Sequence, residues 1–254
     1  MERTALVIFL LCAFATHTLL GQEVSDTLQY NGSLTVGGSY KTGLLNQASI
    51  TGSFENTFKK SDWALYNRTS YFYSEVNNVR LFDDWTVVSK LSYSFTKGAK
   101  ISPTLFHLYK SNLLFRILNS HRFLAGASIT SLQNPKTLLY AGVGFDNTNY
   151  GGEKFMNSDL INSNRRFGIS AVHLENTHQF ADKKFSLTYS LFYFQSLKEA
   201  TDYTLWIIPS FQVALSKKLS FAINYDIRYR NVHLVDLPAI NQALTANLRI
   251  VFDK

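Results

Sequence analysis

Cysteine is almost missing from this chain of 254 residues: Cys12 stands alone. It sits in the opening "MERTALVIFLLCAFATHTLLGQ", where Arg3 precedes an apolar run from Ala5 to Ala15. That run is too short to span a bilayer and gives way to small and polar residues, the layout of a secretory signal peptide. Cleavage after Gly21 is expected, leaving a signal peptide over 1–21 and a single domain over 22–254. Leu11 before Cys12 does not suit a lipid-anchored cysteine, so the thiol belongs to the discarded segment. The rest of the chain then excludes disulfides and thiolate metal sites.

Long apolar runs are missing as well. Beyond the signal no stretch of 18 apolar residues occurs, which excludes a transmembrane helix. Charge is scarce, at 17% of residues, and although the formal net charge is +7 the basic residues form no run. Lys59-Lys60, Arg165-Arg166, Lys183-Lys184 and Lys217-Lys218 are scattered pairs, so nucleic acid is not expected as a partner. No segment carries a convincing apolar stripe of period 3.6, which argues against amphipathic helices.

What the chain does have is aromatics, 14 Tyr and 20 Phe, set into a pattern of period two. In "LQYNGSLTVGGSY" the even positions give Leu28, Tyr30, Leu34, Val36 and Tyr40, against Gln29, Asn31, Ser33, Thr35 and Ser39. The pattern returns in "FSLTYSLFYF", with Phe185, Leu187, Tyr189, Leu191 and Tyr193 on one face. "LSFAINYDIRYR" sets Leu219, Phe221, Ile223, Tyr225, Ile227 and Tyr229 against Ser220, Asn224, Asp226, Arg228 and Arg230. Alternation of this kind defines strands, and the chain is expected to be all-β. About twelve strands follow: 27–40, 47–58, 62–75, 84–96, 100–110, 121–132, 137–146, 165–178, 184–197, 203–215, 219–230 and 241–253. Pro103 interrupts the fifth, and "LLFRIL" could extend either the fifth or the sixth.

The links alternate in length. Short polar turns, "KKS", "KGA", "QNPK", "ADKK" and "SKK", follow the even strands, while "KTGLLNQ", "VNNVRLFD", "NTNYGGEKFMNSDLINSN" and "NVHLVDLPAI" follow odd ones. Strands of about 10–14 residues suit the roughly 9–11 that cross a bilayer at a tilt, whereas sandwich strands run nearer five or six. Aromatics flank aliphatics, as in Trp85, Leu91, Tyr93 and Phe95, matching a girdle at the headgroup level. A closed antiparallel up-and-down transmembrane β-barrel, with the apolar face on lipid and both termini in the periplasm, is therefore expected. A soluble periplasmic β-barrel or sandwich is the alternative that alternation alone leaves open. Parity then turns Glu55, Arg68, Lys90, Asp226, Arg228, Arg230 and Arg249 toward the lumen, where cations outnumber anions.

The segments "GSLTVGGSYKTGLLNQASITGSFE", "WALYNRTSYFYSE", "FLAGASIT", "LLYAGVGFDN" and "RFGISAVHLENTHQF", with the close "LRIVFDK", resemble the bacterial outer-membrane barrels grouped as domain of unknown function 481, also labelled salt-induced outer membrane proteins. The resemblance spans nearly the whole exported chain and implies fold and location, the cell outer membrane, without a mechanism. Barrels of this kind end on an aromatic read by the barrel assembly machinery. Here Phe252 has the right parity and is followed by Asp253 and Lys254.

Chemistry beyond the lumen is sparse. His107, His121, His173, His178 and His233 are the histidines outside the signal, with His121, His178 and His233 at or beside turns. In "SAVHLEN" His173 and Glu175 share a face and Ser170 lies opposite, so a Ser–His pair would need a serine from another strand. "DNTNYGGE" fails as a calcium loop, because Thr148, Tyr150 and Asn157 fall where ligands belong. "AGVGFDN" lacks the third glycine and the helix of a dinucleotide site. The sequons "NGS" and "NRT" lie in strands. No cofactor or metal is implied. The function expected is a narrow, weakly anion-preferring pore for small anions or a structural, stress-related envelope protein in contact with outer-membrane lipid. A lipid-modifying enzyme built on His173 is the alternative. Protease added to intact cells is expected to cut within 147–163 and to spare 181–184; cleavage at 181–184 alone would reverse the topology.

Overall fold

A computed structural model describes residues 28–41, 47–77, 79–95, 100–112, 116–130, 138–151, 164–232 and 239–253. The expected signal peptide, His233 and most of the link after Tyr150 lie outside these residues. Twelve strands follow one another: β1 (Gln29–Lys41), β2 (Gln47–Lys60), β3 (Trp63–Val76), β4 (Val79–Tyr93), β5 (Ile101–Asn112), β6 (Ile117–Thr130), β7 (Leu138–Tyr150), β8 (Asn164–Phe180), β9 (Phe185–Ser196), β10 (Tyr203–Ala214), β11 (Leu219–Arg230) and β12 (Ile240–Asp253). Each pairs antiparallel with its sequence neighbours, and β1 closes the ring on β12 through partners such as Leu34↔Ile250 and Gly38↔Ala246. Closure leaves no unpaired edge, which a barrel in hydrocarbon requires.

The strand bounds differ from the sequence expectation in the middle of the chain. β4 begins at Val79, so most of "VNNVRLFD" is strand, with a register shift at Ser74/Glu75. β6 takes up Ile117 and Leu118, and β7 continues to Tyr150. The polar residues of these segments pair normally in the ladder; polarity had marked them as links, but backbone pairing is indifferent to it. With β4 starting at Val79, the link after β3 is shorter than the expected "VNNVRLFD". Pro103 lies just past the last β4–β5 partners, Ser92↔Thr104, so its missing N–H takes nothing from that ladder. Across Ile208 and Pro209 the β10–β11 pairing lapses, while Pro209 still faces Tyr189 on β9.

The outward faces are mainly apolar: Leu34, Ile50, Leu105, Val143, Leu187, Ile223 and Leu244 are all open to the surroundings. The inward faces are of two kinds. On β1–β3 and β10–β12 they carry mainly Ser, Thr, Asn and charged residues. From β4 to β9 they also carry Val88, Phe106, Leu108, Leu124, Tyr140, Ile169, Ala171, Phe192 and Phe194, which pack into one buried cluster inside the ring. Tyr66, Phe167, Trp206 and Ile208 pack against it. Relative to a water-filled bore, burying one such side chain stabilises by about 1.5–3 kcal/mol. The sequence reading put the apolar set of each strand on lipid; from β4 to β9 part of the inward set is apolar as well. Residues such as Phe192 and Phe194 stand between outward apolar residues, so period two hides them.

Two glycines from the quoted pair "FLAGASIT" and "LLYAGVGFDN" let the backbones of β6 and β7 approach closely beside this cluster. A Cβ on Gly126 would lie 2.0 Å from the Ala141 carbonyl oxygen, and one on Gly144 1.8 Å from that of Phe123. Both atoms belong to backbone and cannot swing away. Gly144→Val is expected to destabilise the barrel by about 1–3 kcal/mol or more through overpacking, read as a lower temperature for loss of the compact band in heat-dependent gel shifts. Gly52→Ala, whose Cβ would meet nothing nearer than 4.0 Å, should leave that temperature unchanged.

Candidate functional site

The charged groups of the bore form separate clusters, each set by strand register. On the polar side Ser33 and Arg68 are the cross-strand partners of Glu55 on either flank. Arg249, partner of Thr35 on β12, reaches over to the same carboxylate. Glu55 Oε1 lies 3.4 Å from Arg68 Nε, and Oε2 accepts from Arg249 Nη2 at 3.1 Å and from Ser33 Oγ at 3.4 Å. Nearby, Asp226 accepts from Arg228 Nε at 2.9 Å and Nη2 at 2.8 Å, and from the Trp206 indole N–H at 2.8 Å. Arg228 also stacks over Trp206, 4.8 Å from the ring centroid.

Several contacts cross the bore between strands that are not neighbours. Arg228 Nη1 on β11 lies 3.5 Å from Asp84 Oδ2 on β4, and Asn112 donates to the same oxygen at 2.5 Å. Arg230 on β11 lies over the Tyr150 ring of β7 at 4.8 Å. Arg122 on β6 lies over Phe194 of β9 at 4.4 Å while its Nε holds Asp146 at 2.6 Å. Lys90 Nζ on β4 meets His173 Nδ1 on β8 at 3.0 Å. Between the Arg228 bridge and the polar wall remains a cavity of about 80 Å³, whose lining includes Arg68, Asp84, Trp206, Asp226 and Arg228. Its volume admits only a few waters.

The seven lumen candidates therefore divide. Glu55, Arg68 and Arg249 share one cluster, Asp226 and Arg228 a second, while Lys90 sits apart beside His173 and Arg230 beside Tyr150. Sequence reasoning missed Asp84, Asp146 and Arg122, which stand at or beyond its strand ends, and Arg165, which bonds Asp202 at 2.8 Å. Because Arg122 and Arg165 enter together with these carboxylates, most of the expected cationic excess stands, but it is paired. Asp146–Tyr150 is strand, with Asp146 held by Arg122 and Thr148, so the supposed outer loop begins later. His121 and His178 also lie within strands rather than at turns, and His107 and His121 face outward.

The serine that His173 lacked on its own strand is supplied by Ser190, whose Oγ lies 2.9 Å from His173 Nε2. Glu175 Oε2 is 3.6 Å from the same nitrogen, and the ring stacks on Phe192 at 3.9 Å. A charged Lys90 can only donate to Nδ1, which leaves the imidazole hydrogen on Nε2. That nitrogen then donates toward Ser190, whereas a general base must present a lone pair there. The arrangement anchors β4, β8 and β9 to one another. Among the described residues no group of three His, Cys, Asp or Glu is placed to hold a metal.

A closed ring of twelve antiparallel strands, apolar outside and mixed within, is the porin-like fold of outer-membrane barrels. The chain belongs to the family described as "Protein of unknown function, DUF481", whose model matches residues 34–252. No curated protein matches it in sequence. Among solved structures it is similar to the NanC porin, with 9% identity, a TM-score of 0.50 and coverage of 87% of this chain and 99% of the other. It is also similar to an outer-membrane channel from Pseudomonas putida F1, at 12% identity and a TM-score of 0.45 over 92% and 97% of the two chains. The translocator domain of the autotransporter NalP from Neisseria meningitidis gives 12%, 0.43, 99% and 98%.

Glu55→Gln removes the carboxylate shared by Arg68 and Arg249 and leaves two guanidinium groups facing each other. It is expected to destabilise the folded barrel by about 1–3 kcal/mol, measured by urea unfolding in detergent. Adding Arg249→Gln should recover part of that loss; additive losses in the double variant would mean that the cluster is not coupled.

Proposed function

We propose that this protein is a barrel of the bacterial outer membrane whose bore is held shut by its own side chains, serving the envelope as a closed structural element with a latent, narrow ion path. The observation that carries this reading is the Arg228–Asp84 contact across the bore, 3.5 Å long and backed by the packed cluster around Phe106, Tyr140 and Phe192. Barrels with many strands keep an aqueous channel and small ones fill themselves; with these contacts a ring of twelve behaves like the small ones. Any path must run along the wall that carries Arg68 and Arg228. There Asp84 and Asp226 balance the two guanidinium groups, so preference for small anions would be weak. The outward Phe252 at the end of β12 supplies the closing aromatic for the insertion machinery, and the apolar outer wall meets outer-membrane lipid.

The test is single-channel recording in a planar bilayer under a salt gradient, with folding verified by the heat-dependent gel shift. Folded wild-type protein is expected to give no steady conductance. The double variant Asp84→Ala, Arg228→Ala, which removes the bridge without leaving either charge alone, is expected to give small discrete steps. Large, continuous steps from the wild type would overturn the closed-bore reading.

A further inference from the structure

The outer face of β5–β8 is not uniformly apolar. Tyr109, His121, Asn147 and Arg166 are successive register partners, Tyr109↔His121, His121↔Asn147 and Asn147↔Arg166, and share the outward parity of Leu105, Phe123, Phe145 and Val172. Arg166 Nε donates to Asn147 Oδ1 at 3.2 Å. His121 Nδ1 lies 3.3 Å from His107 Nε2, and His107 stacks on Phe123 at 4.3 Å. The row runs close to the ends of its strands away from the chain termini, with Arg166 only two residues from the start of β8. An outward guanidinium is tolerated near the interface, at about 0–1 kcal/mol, but not at mid-membrane.

Directly below this row lies a groove of about 460 Å³ walled by Leu65, Leu91, Leu105, Phe123, Val143 and Phe145. Its floor is low because Ala125, on the outward parity, carries only a methyl group. Phe145 precedes Asn147 by two residues, about 7 Å along a strand, the span from a lipid phosphate to the start of its acyl chain. Among the described residues, the outward faces of β5–β8 carry no Asp or Glu; Asp146 and Glu175 have inward parity. Arg166 is thus an outward cation with no carboxylate of its own wall to meet it.

We propose that this surface holds one anionic lipid, its acyl chain in the groove and its phosphate against Arg166 and His121. The groove supplies the apolar contact and the row supplies the selectivity for a negative headgroup. The site is indifferent to whether the bore conducts and shares with that reading only the membrane setting.

The experiment places the protein in nanodiscs of equal phosphatidylglycerol and phosphatidylethanolamine, releases it into detergent, and counts retained lipid by native mass spectrometry. Wild type is expected to keep one phosphatidylglycerol with about fivefold preference, the factor that one interfacial Arg provides. Arg166→Gln should bring the two lipids to parity, and Ala125→Trp, which fills the groove, should lower retention of both. Equal retention by the wild type, or a preference untouched by Arg166→Gln, would overturn the proposal. So would a dimer that Ala125→Trp dissolves, since the groove would then seat a second copy of the chain. Loss of the heat-dependent gel shift in the wild type would instead strike at the membrane-barrel reading.

Discussion

Every other feature depends on the need to pair backbone N–H and C=O groups where no water can. In hydrocarbon an unpaired amide costs several kcal/mol, so a strand in the wall must have a neighbour on both sides. β1 and β12 meet that demand across the longest sequence separation in the chain. Once the ring is closed, each residue has only two directions, outward or inward. Outward residues answer to one solvent and are mainly apolar, save for a short polar row near the ends of β5–β8. Inward residues answer to one another, and their character varies around the ring.

This difference explains what was legible in the sequence. The outward set could be read directly, since Leu34, Val36, Ile223 and Leu248 repeat every second residue against polar neighbours. Strand existence, class and closure followed from it. The filling of the bore did not follow, because whether Phe106 or Phe192 can reach partners across the ring depends on how the strands curve. It also depends on places such as Gly126 and Gly144, where only a missing side chain lets two backbones approach. A glycine in a strand signals close approach but does not say which pair of strands bends.

The charged residues were legible in the same partial way. Parity supplied Glu55, Arg68, Asp226, Arg228 and Arg249 as a set, but not how they would group. Adjacent-strand pairs such as Glu55–Arg68 depend on register, which a two-residue error in a turn would shift. Asp84 and Asp146 were overlooked because polar strand ends look like links, yet these two carboxylates hold Arg228 and Arg122. An inventory of charges that stops at strand centres misses which of them are paired.

The two walls of the bore also pose a question of energy. Removing ions from water is costly, and a buried pair contributes less to stability than apolar residues of similar volume. The β4–β9 side already shows that this chain can close space with Phe, Tyr and Leu. Were closure the only requirement, Trp206 and Ile208 on β10 show that apolar filling could have continued onto β11 and β12. Instead that side carries Arg228, Asp226, Arg249 and Glu55 around a small cavity. An ion pair that spans the bore differs from an apolar plug in one physical respect: water and ions can compete for its partners. On the proposed reading, opening would therefore begin at the polar wall, with the apolar wall holding the ring together.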